Sequence, residues 1–303
     1  MPNTHPQTVY FHLPGLFEFT AFYRAFLPLY REHREYFYPD YEIGSLYGAP
    51  ADCLWGGGRV GFGEDDPRDV LALVKEYGIS ARLTFSSSLL RPEHLTDRKC
   101  NRLCESFACE NEPQNGVIVH SELLTEYLKS NYPELYLVSS TTKVLTDFSD
   151  FENELKRKEF RFTVPDFRLN KSFDRLRSLP QELKDKVEFL CNECCFFGCP
   201  DRKACYENVS RKNLGEDCPE HTCVSPFAQE GYRFSRAMEN PGFISVSDIR
   251  ETYRPMGFSH FKIEGRSLGT ALILEFLLHY MTRPEYHLKV REALYLSPTL
   301  DLF

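Results

Sequence analysis

The 303-residue chain reads as an α/β protein, a (β/α)8 barrel of the TIM type, with residues 1–303 forming a single barrel domain. Three observations predict it. Eight short apolar runs bounded by turn residues recur along the chain, and amphipathic stretches at the helical period lie between them. No repeat, low-complexity tract or Pro/Gly/Ser linker divides the sequence, and a barrel uses roughly 250 residues as one unit. The composition is 42% hydrophobic and 14% aromatic, ample for a large core, which excludes disorder as the general state.

The strands are expected at Val9–Leu13, Ile43–Tyr47, Ala81–Phe85, Val117–His120, Leu135–Ser139, Phe160–Val164, Val187–Leu190 and Phe261–Glu264. Helices are expected between them. In Asp69–Tyr77 the residues Val70, Leu71, Val74 and Tyr77 share one face, and Ser121–Asn131 opens on the start signal Ser121-Glu122. Phe151–Lys158 and Ser247–Met256 complete the set, the last opening on Ser247-Asp248. The stretch from Cys191 to Phe243 is too long for one strand-to-helix connection. It is read as a cysteine-rich metal-binding insertion, 191–242, between strands seven and eight.

The charge count, 36 basic against 44 acidic residues for a net of -8, argues against a protein that coats nucleic acid or anionic lipid. No run of about 18 apolar residues predicts a membrane span. Met1–Thr8 lacks the basic start and apolar core of a secretory signal, so the expected compartment is the cytoplasm.

Eleven cysteines are then unexpected, and seven of them fall between residues 191 and 223. An odd number in a long chain without an export signal does not suit a disulfide framework. Metal binding is the better reading. In Cys191-Asn-Glu-Cys194-Cys195-Phe-Phe-Gly-Cys199, the residues Cys195 and Cys199 are four apart and can aim both sulfurs at one metal. Adjacent Cys194 and Cys195 point apart, so one of them is a spare. An all-thiolate site accepts either Zn2+ or a 4Fe-4S cluster, and spacing does not choose between them. Cys100, Cys104 and Cys109 lie at helical spacings and read as packing residues.

In a barrel, chemistry belongs at the C-terminal ends of the strands. Lys262, Glu264 and Arg266 alternate along strand eight and therefore share one side. They are read as catalytic or substrate-binding residues, with a structural ion-pair network as the alternative. Glu193, at the end of strand seven, is a general acid/base candidate or a carboxylate that orients the loop. His12 and His120 end strands one and four and are rim candidates, as are Asp166 and Arg168 at strand six. The segment Trp55-Gly56-Gly57-Gly58-Arg59 lacks the lysine and helix start of a phosphate-binding loop and is read as a plain loop. There is no serine-hydrolase elbow, dinucleotide fingerprint, zinc-protease helix or radical-SAM cysteine triplet.

The segment Phe261-Lys-Ile-Glu-Gly-Arg266, preceded by Gly242-Phe-Ile-Ser-Val-Ser-Asp248, resembles the closing segment of the peptidase U32 (collagenase-like) superfamily. That superfamily includes the iron-sulfur proteins of oxygen-independent ubiquinone hydroxylation and the proteins of tRNA hydroxylation. The stretch from Val187 through Lys203, with its Asn-Glu-x-Cys-x3-Cys-Pro-x-Arg pattern, looks like a branch of it, as do Asn115–Ser121 and Val138–Thr142. The resemblance implies a TIM barrel with a four-cysteine iron-sulfur centre near its C-terminal face. Carried over by position, the ligands are Cys195 and Cys199, then Cys223 as the late ligand and Cys205 as the fourth, with Cys53 an outside candidate. It also implies a peptide or small-molecule substrate and a partner protein of the same superfamily. The sequence lacks the Gly-x-Cys-x-aliphatic-Ser element of the better-known U32 signature, which leaves cluster type and ligand set open. A hydroxylase or other redox enzyme is the first expectation. A peptide- or sugar-acting hydrolase or lyase with a structural zinc is the alternative.

Overall fold

The computed structural model describes residues 7–58, 63–109 and 112–296, so Arg59 of the glycine-rich loop lies outside the described residues. Eight parallel strands follow the expected positions: β1 (Val9–Pro14), β2 (Tyr41–Gly48), β3 (Ser80–Phe85), β4 (Gly116–Val119), β5 (Tyr136–Ser139), β6 (Phe160–Thr163), β7 (Glu188–Leu190) and β8 (His260–Lys262). They are hydrogen-bonded in the order β6-β5-β4-β3-β2-β1-β8-β7. A parallel bridge between Thr163 and Val187 joins β6 to β7 and closes the ring. The barrel predicted from the sequence is the observed fold.

Helices return the chain from each strand end to the next start. The first is α1 (Thr20–Glu32), and α2 (Pro67–Glu76) begins where Asp66 accepts the amide of Arg68 and Pro67 fills the first helical position. Next come α3 (Arg98–Ala108) and α4 (Glu122–Asn131), the latter capped by Ser121 as its start signal predicts. The fifth, α5 (Phe148–Lys156), starts three residues before the expected Phe151, because Asp147 accepts the amides of Ser149 and Asp150. Short helices α6 (Phe173–Ser178) and α7 (Gln181–Lys184) precede β7. The expected helix at 247–256 is capped two residues earlier, by a reciprocal Ser245–Asp248 pair, and continues as a wider π turn over Ile249–Tyr253.

Two cores result. The larger lies between barrel and helices, where Phe11, Leu83, Val117, Phe189 and Phe261 meet the helical faces. Cys100 and Cys104 are fully buried there, as packing residues should be, whereas Cys109 is exposed past the end of α3. The smaller core fills the barrel itself: Tyr47, Ile118, Val138, Phe162, Val164 and Leu190. The segment after β7 carries α8 (Arg202–Asn213) and α9 (Phe234–Met238). It folds over the C-terminal mouth, where Ser210 Oγ accepts the Ser88 amide at 3.1 Å and Asn240 donates to the Cys195 carbonyl at 2.9 Å. Among the described residues, no helix is long and apolar enough to cross a membrane.

Candidate active site

Strands buried on both faces are normally apolar throughout. Here β1, β3, β7 and β8 turn charged or titratable side chains into the barrel. Glu188 of β7 is fully buried, with its Oε2 2.5 Å from Arg82 Nη1 and 3.4 Å from His12 Nε2. Its Oε1 lies 3.3 Å from Lys262 Nζ. Arg82 also donates to Tyr136 Oη at 2.7 Å, and His12 joins Ser45 Oγ at 2.8 Å and His260 Nδ1 at 3.1 Å. Buried charge survives only when paired and hydrogen-bonded, and this group meets that condition.

The electrostatics follow from that packing. Burial alone would raise Glu188, but Arg82, His12 and Lys262 together hold it below the usual carboxylate range. Burial lowers Lys262 to about 8, with Glu188 opposing the shift and Arg82 adding to it. Burial, reinforced by Arg82, also lowers His12 well below its ordinary value. His12 is therefore an interior histidine, one layer below the rim on which its place in the sequence put it. Sequence reasoning missed Glu188, Arg82 and His260.

Above this group a cavity of about 230 Å³ opens at the C-terminal ends of the strands. Its walls include Tyr47, Thr84, Ser140, Tyr206, Tyr232 and Leu190. Lys262, Glu264, Arg266 and Glu193 all line it, so the four residues expected to be catalytic converge on one space. Their settings differ. Lys262 Nζ lies 3.6 Å from the centre of the Tyr47 ring, held between that ring and Glu188. Half-buried Glu264 accepts the Cys194 amide at 3.4 Å, and its own amide donates to Asn192 Oδ1 at 2.8 Å. Arg266 is tied to buried Glu18 at 2.6 Å and to the Ala49 carbonyl at 2.9 Å, which fixes one side of the rim. Buried Glu193 pairs with Arg202 at 2.5 Å and accepts the Cys195 amide at 3.0 Å, an arrangement that orients the loop.

The other rim candidates lie outside the cavity lining. Asp166 pairs with Arg168 at 2.6 Å and with Arg202 at 3.2 Å, while Arg168 reaches the Cys199 carbonyl at 3.1 Å. His120 bonds Thr142 Oγ1 at 2.8 Å and is lowered to about 4 by burial, then by Lys143 and Lys203. It does not line the cavity. The glycine-rich loop is packed rather than plain: Trp55 is fully buried and donates to the His94 carbonyl at 2.7 Å.

The four cysteines expected to bind metal are spread over the covering segment. Cys199 is buried, Cys195 and Cys205 are half-buried, and Cys223 is exposed. A single tetrahedral zinc, with Zn–S of about 2.3 Å, needs its sulfurs close together. Among the described residues, the one group of three ligand atoms within 4.8 Å of one another is Glu193, Cys194 and Glu264. As placed, Cys195, Cys199, Cys205 and Cys223 do not make a zinc cage. Cys53, the outside candidate, is buried in the larger core, where its thiol partners Cys100.

The sequence matches no protein-family profile and no curated protein. The fold has a solved counterpart in the structure of the U32 peptidase Mk0906, with a TM-score of 0.51 and 14% identity over 88% of this chain and 96% of that one. At that identity the likeness shows the fold alone: this chain has a barrel fold similar to that of the U32 peptidase.

Proposed function

We propose that the chain is a U32-like barrel enzyme, a hydrolase or lyase, that works by proton transfer at the C-terminal mouth on a small polar substrate such as a peptide fragment or sugar. One observation carries this reading: a buried amine, Lys262, opens on a cavity and is lowered to about 8 by burial. An amine held near the working pH exists in both forms and can exchange protons with a bound molecule. Lys262 acts as the base, and Glu264, on the same wall, is the second proton-transfer group. Tyr47 and Glu188 fix the nitrogen, so the free amine takes a proton from a molecule in the cavity. Glu193 and Arg266, each held by an opposite charge, keep the rim in shape.

The test is a screen of peptides and oligosaccharides with the wild-type chain and Lys262→Met. Turnover should fall by about 10²–10⁴-fold in the variant. The wild-type rate should rise with pH to a plateau above about 8, as the amine loses its proton. A variant that turns over like the wild type defeats the proposal.

A redox reading stands second, in which Cys195, Cys199, Cys205 and Cys223 hold a 4Fe-4S cluster beside the mouth. The observation favouring it is that the thiol-rich segment covers the cavity and places Cys194 in its wall. On this reading the cluster closes the segment as it binds, since metal binding and local folding are coupled.

A further inference from the structure

We infer that the opposite, N-terminal mouth of the barrel is a second ligand site, which takes a planar organic anion whose carboxylate or phosphate is held by Arg161 and whose ring lies against Tyr10.

The N-terminal end of such a barrel is usually closed by packed side chains and contributes stability. Here it holds a cavity of about 830 Å³. Two irregularities of the sheet open it. In β6 the partner of Leu137 is Phe160 and the partner of Val138 is Phe162, so Arg161 is an extra, unpaired residue. In β2 the partner of Phe11 is Ile43 and the partner of His12 is Ser45, so Gly44 is extra there. Bulges of this kind bend a strand and re-aim one side chain. Both extra residues line the cavity. At Gly44 a Cβ would stand 2.7 Å from the His12 ring, so glycine also keeps that wall back.

Arg161 is the cation that the fold leaves for a ligand. It is exposed on an otherwise buried strand, its guanidinium 4.8 Å from the Tyr136 ring centre and 3.1 Å from Gln114 Oε1. No carboxylate lies within 4.0 Å of it among the described residues. The other charged groups lining this mouth already have hydrogen-bond partners. Arg82 is paired with Glu188, Lys186 donates to the carbonyls of Leu155 and Arg157, and Asp185 accepts from Gln181 at 2.7 Å. With Nη1 on Gln114, the guanidinium still has Nε and Nη2 donors to offer an anion.

The ring half of the ligand has its own surface. Tyr10, 37% exposed, stacks on His260 at 5.1 Å and 14°, and His260 stacks on His12 at 5.3 Å and 19°. The pile runs from the barrel interior to the open mouth and ends on an aromatic face. A flat ring extends it by one layer, in the offset-stacked arrangement aromatic pairs favour.

The experiment is calorimetric titration of the full chain with AMP and with benzoate, planar anions that carry phosphate and carboxylate respectively. Saturable binding of either is expected, tighter than about 1 mM. Arg161→Gln should weaken it at least about tenfold, with an unchanged circular dichroism spectrum because the side chain is exposed. Lys262→Met, at the other mouth, should leave it intact, which separates this site from the proposed active site. The inference is overturned if neither anion saturates the wild type, if Arg161→Gln binds as tightly as the wild type, or if only Lys262→Met abolishes binding.

Discussion

Replacing Glu188 by glutamine keeps the size of the side chain and removes the charge around which Arg82, Lys262 and His12 are arranged. The cost can be worked out from their chemistry. Two unit charges about 4 Å apart attract by about 4 kcal/mol at an effective dielectric of about 20. Lys262 can escape its loss of a partner by giving up its proton, since burial already lowers it to about 8. His12 is lowered by burial and carries little charge to strand. Arg82 has no such exit, because a guanidinium stays protonated. One cation is therefore left unpaired rather than three, and breaking one buried pair costs about 3–5 kcal/mol. Urea unfolding followed by the fluorescence of the single, buried Trp55 measures it. Adding Arg82→Met to Glu188→Gln should then recover stability, because the stranded charge goes with it. A loss below about 1 kcal/mol in the single variant, or a further loss in the double one, would refute the reasoning.

The remaining predictions concern pH, a glycine and metal. Burial holds His260 and His120 each at about 4, whereas an unfolded histidine titrates near about 6.5. Between those values the unfolded chain binds protons that the native chain does not, so their stabilisation is complete above about pH 6.5 and is lost as the pH falls toward about 4. His260→Gln should make the measured fall shallower; an identical fall in variant and wild type would contradict this. At Gly57 a Cβ would stand 2.3 Å from the Ser86 carbonyl oxygen, which is backbone and cannot swing away. Gly57→Ala should therefore destabilise by about 1–3 kcal/mol in the same urea titration, and a neutral result would show that the loop is less tightly seated. Chain purified without oxygen should be brown and carry about four irons if the redox reading holds, and Cys199→Ser should bleach it. A colourless, iron-free protein sinks that reading.

The fold was legible because each strand is short, apolar and punctuated, and because a start signal such as Ser121 names its helix locally. The π turn at 249–253 was not legible, since nothing in a helical period marks the insertion of one extra residue. On the site, alternation alone placed Lys262, Glu264 and Arg266 on one side, and all three line the cavity. Glu188 and Arg82 were missed although a signal existed: each is a charge inside an apolar strand, at a position that alternation turns inward. What no local pattern carries is the pairing, because Arg82 and Glu188 are 106 residues apart in the chain. The spacing of Cys195 and Cys199 carries no information on burial, and the fold buries Cys199 while leaving Cys195 half-buried.

The ring of strands is not equally strong around its circumference. Seven of its seams are ladders of three to six residue pairs, whereas the eighth is the single Thr163–Val187 bridge. Mechanically the barrel is a C-shaped clamp with a clasp, not a welded hoop. Its girth can change at that clasp without tearing any ladder, and Phe162 and Glu188 sit directly beside it. Residues of both ends meet at this clasp: Phe162 lines the N-terminal cavity and Val164, just past the bridge, lines the C-terminal one.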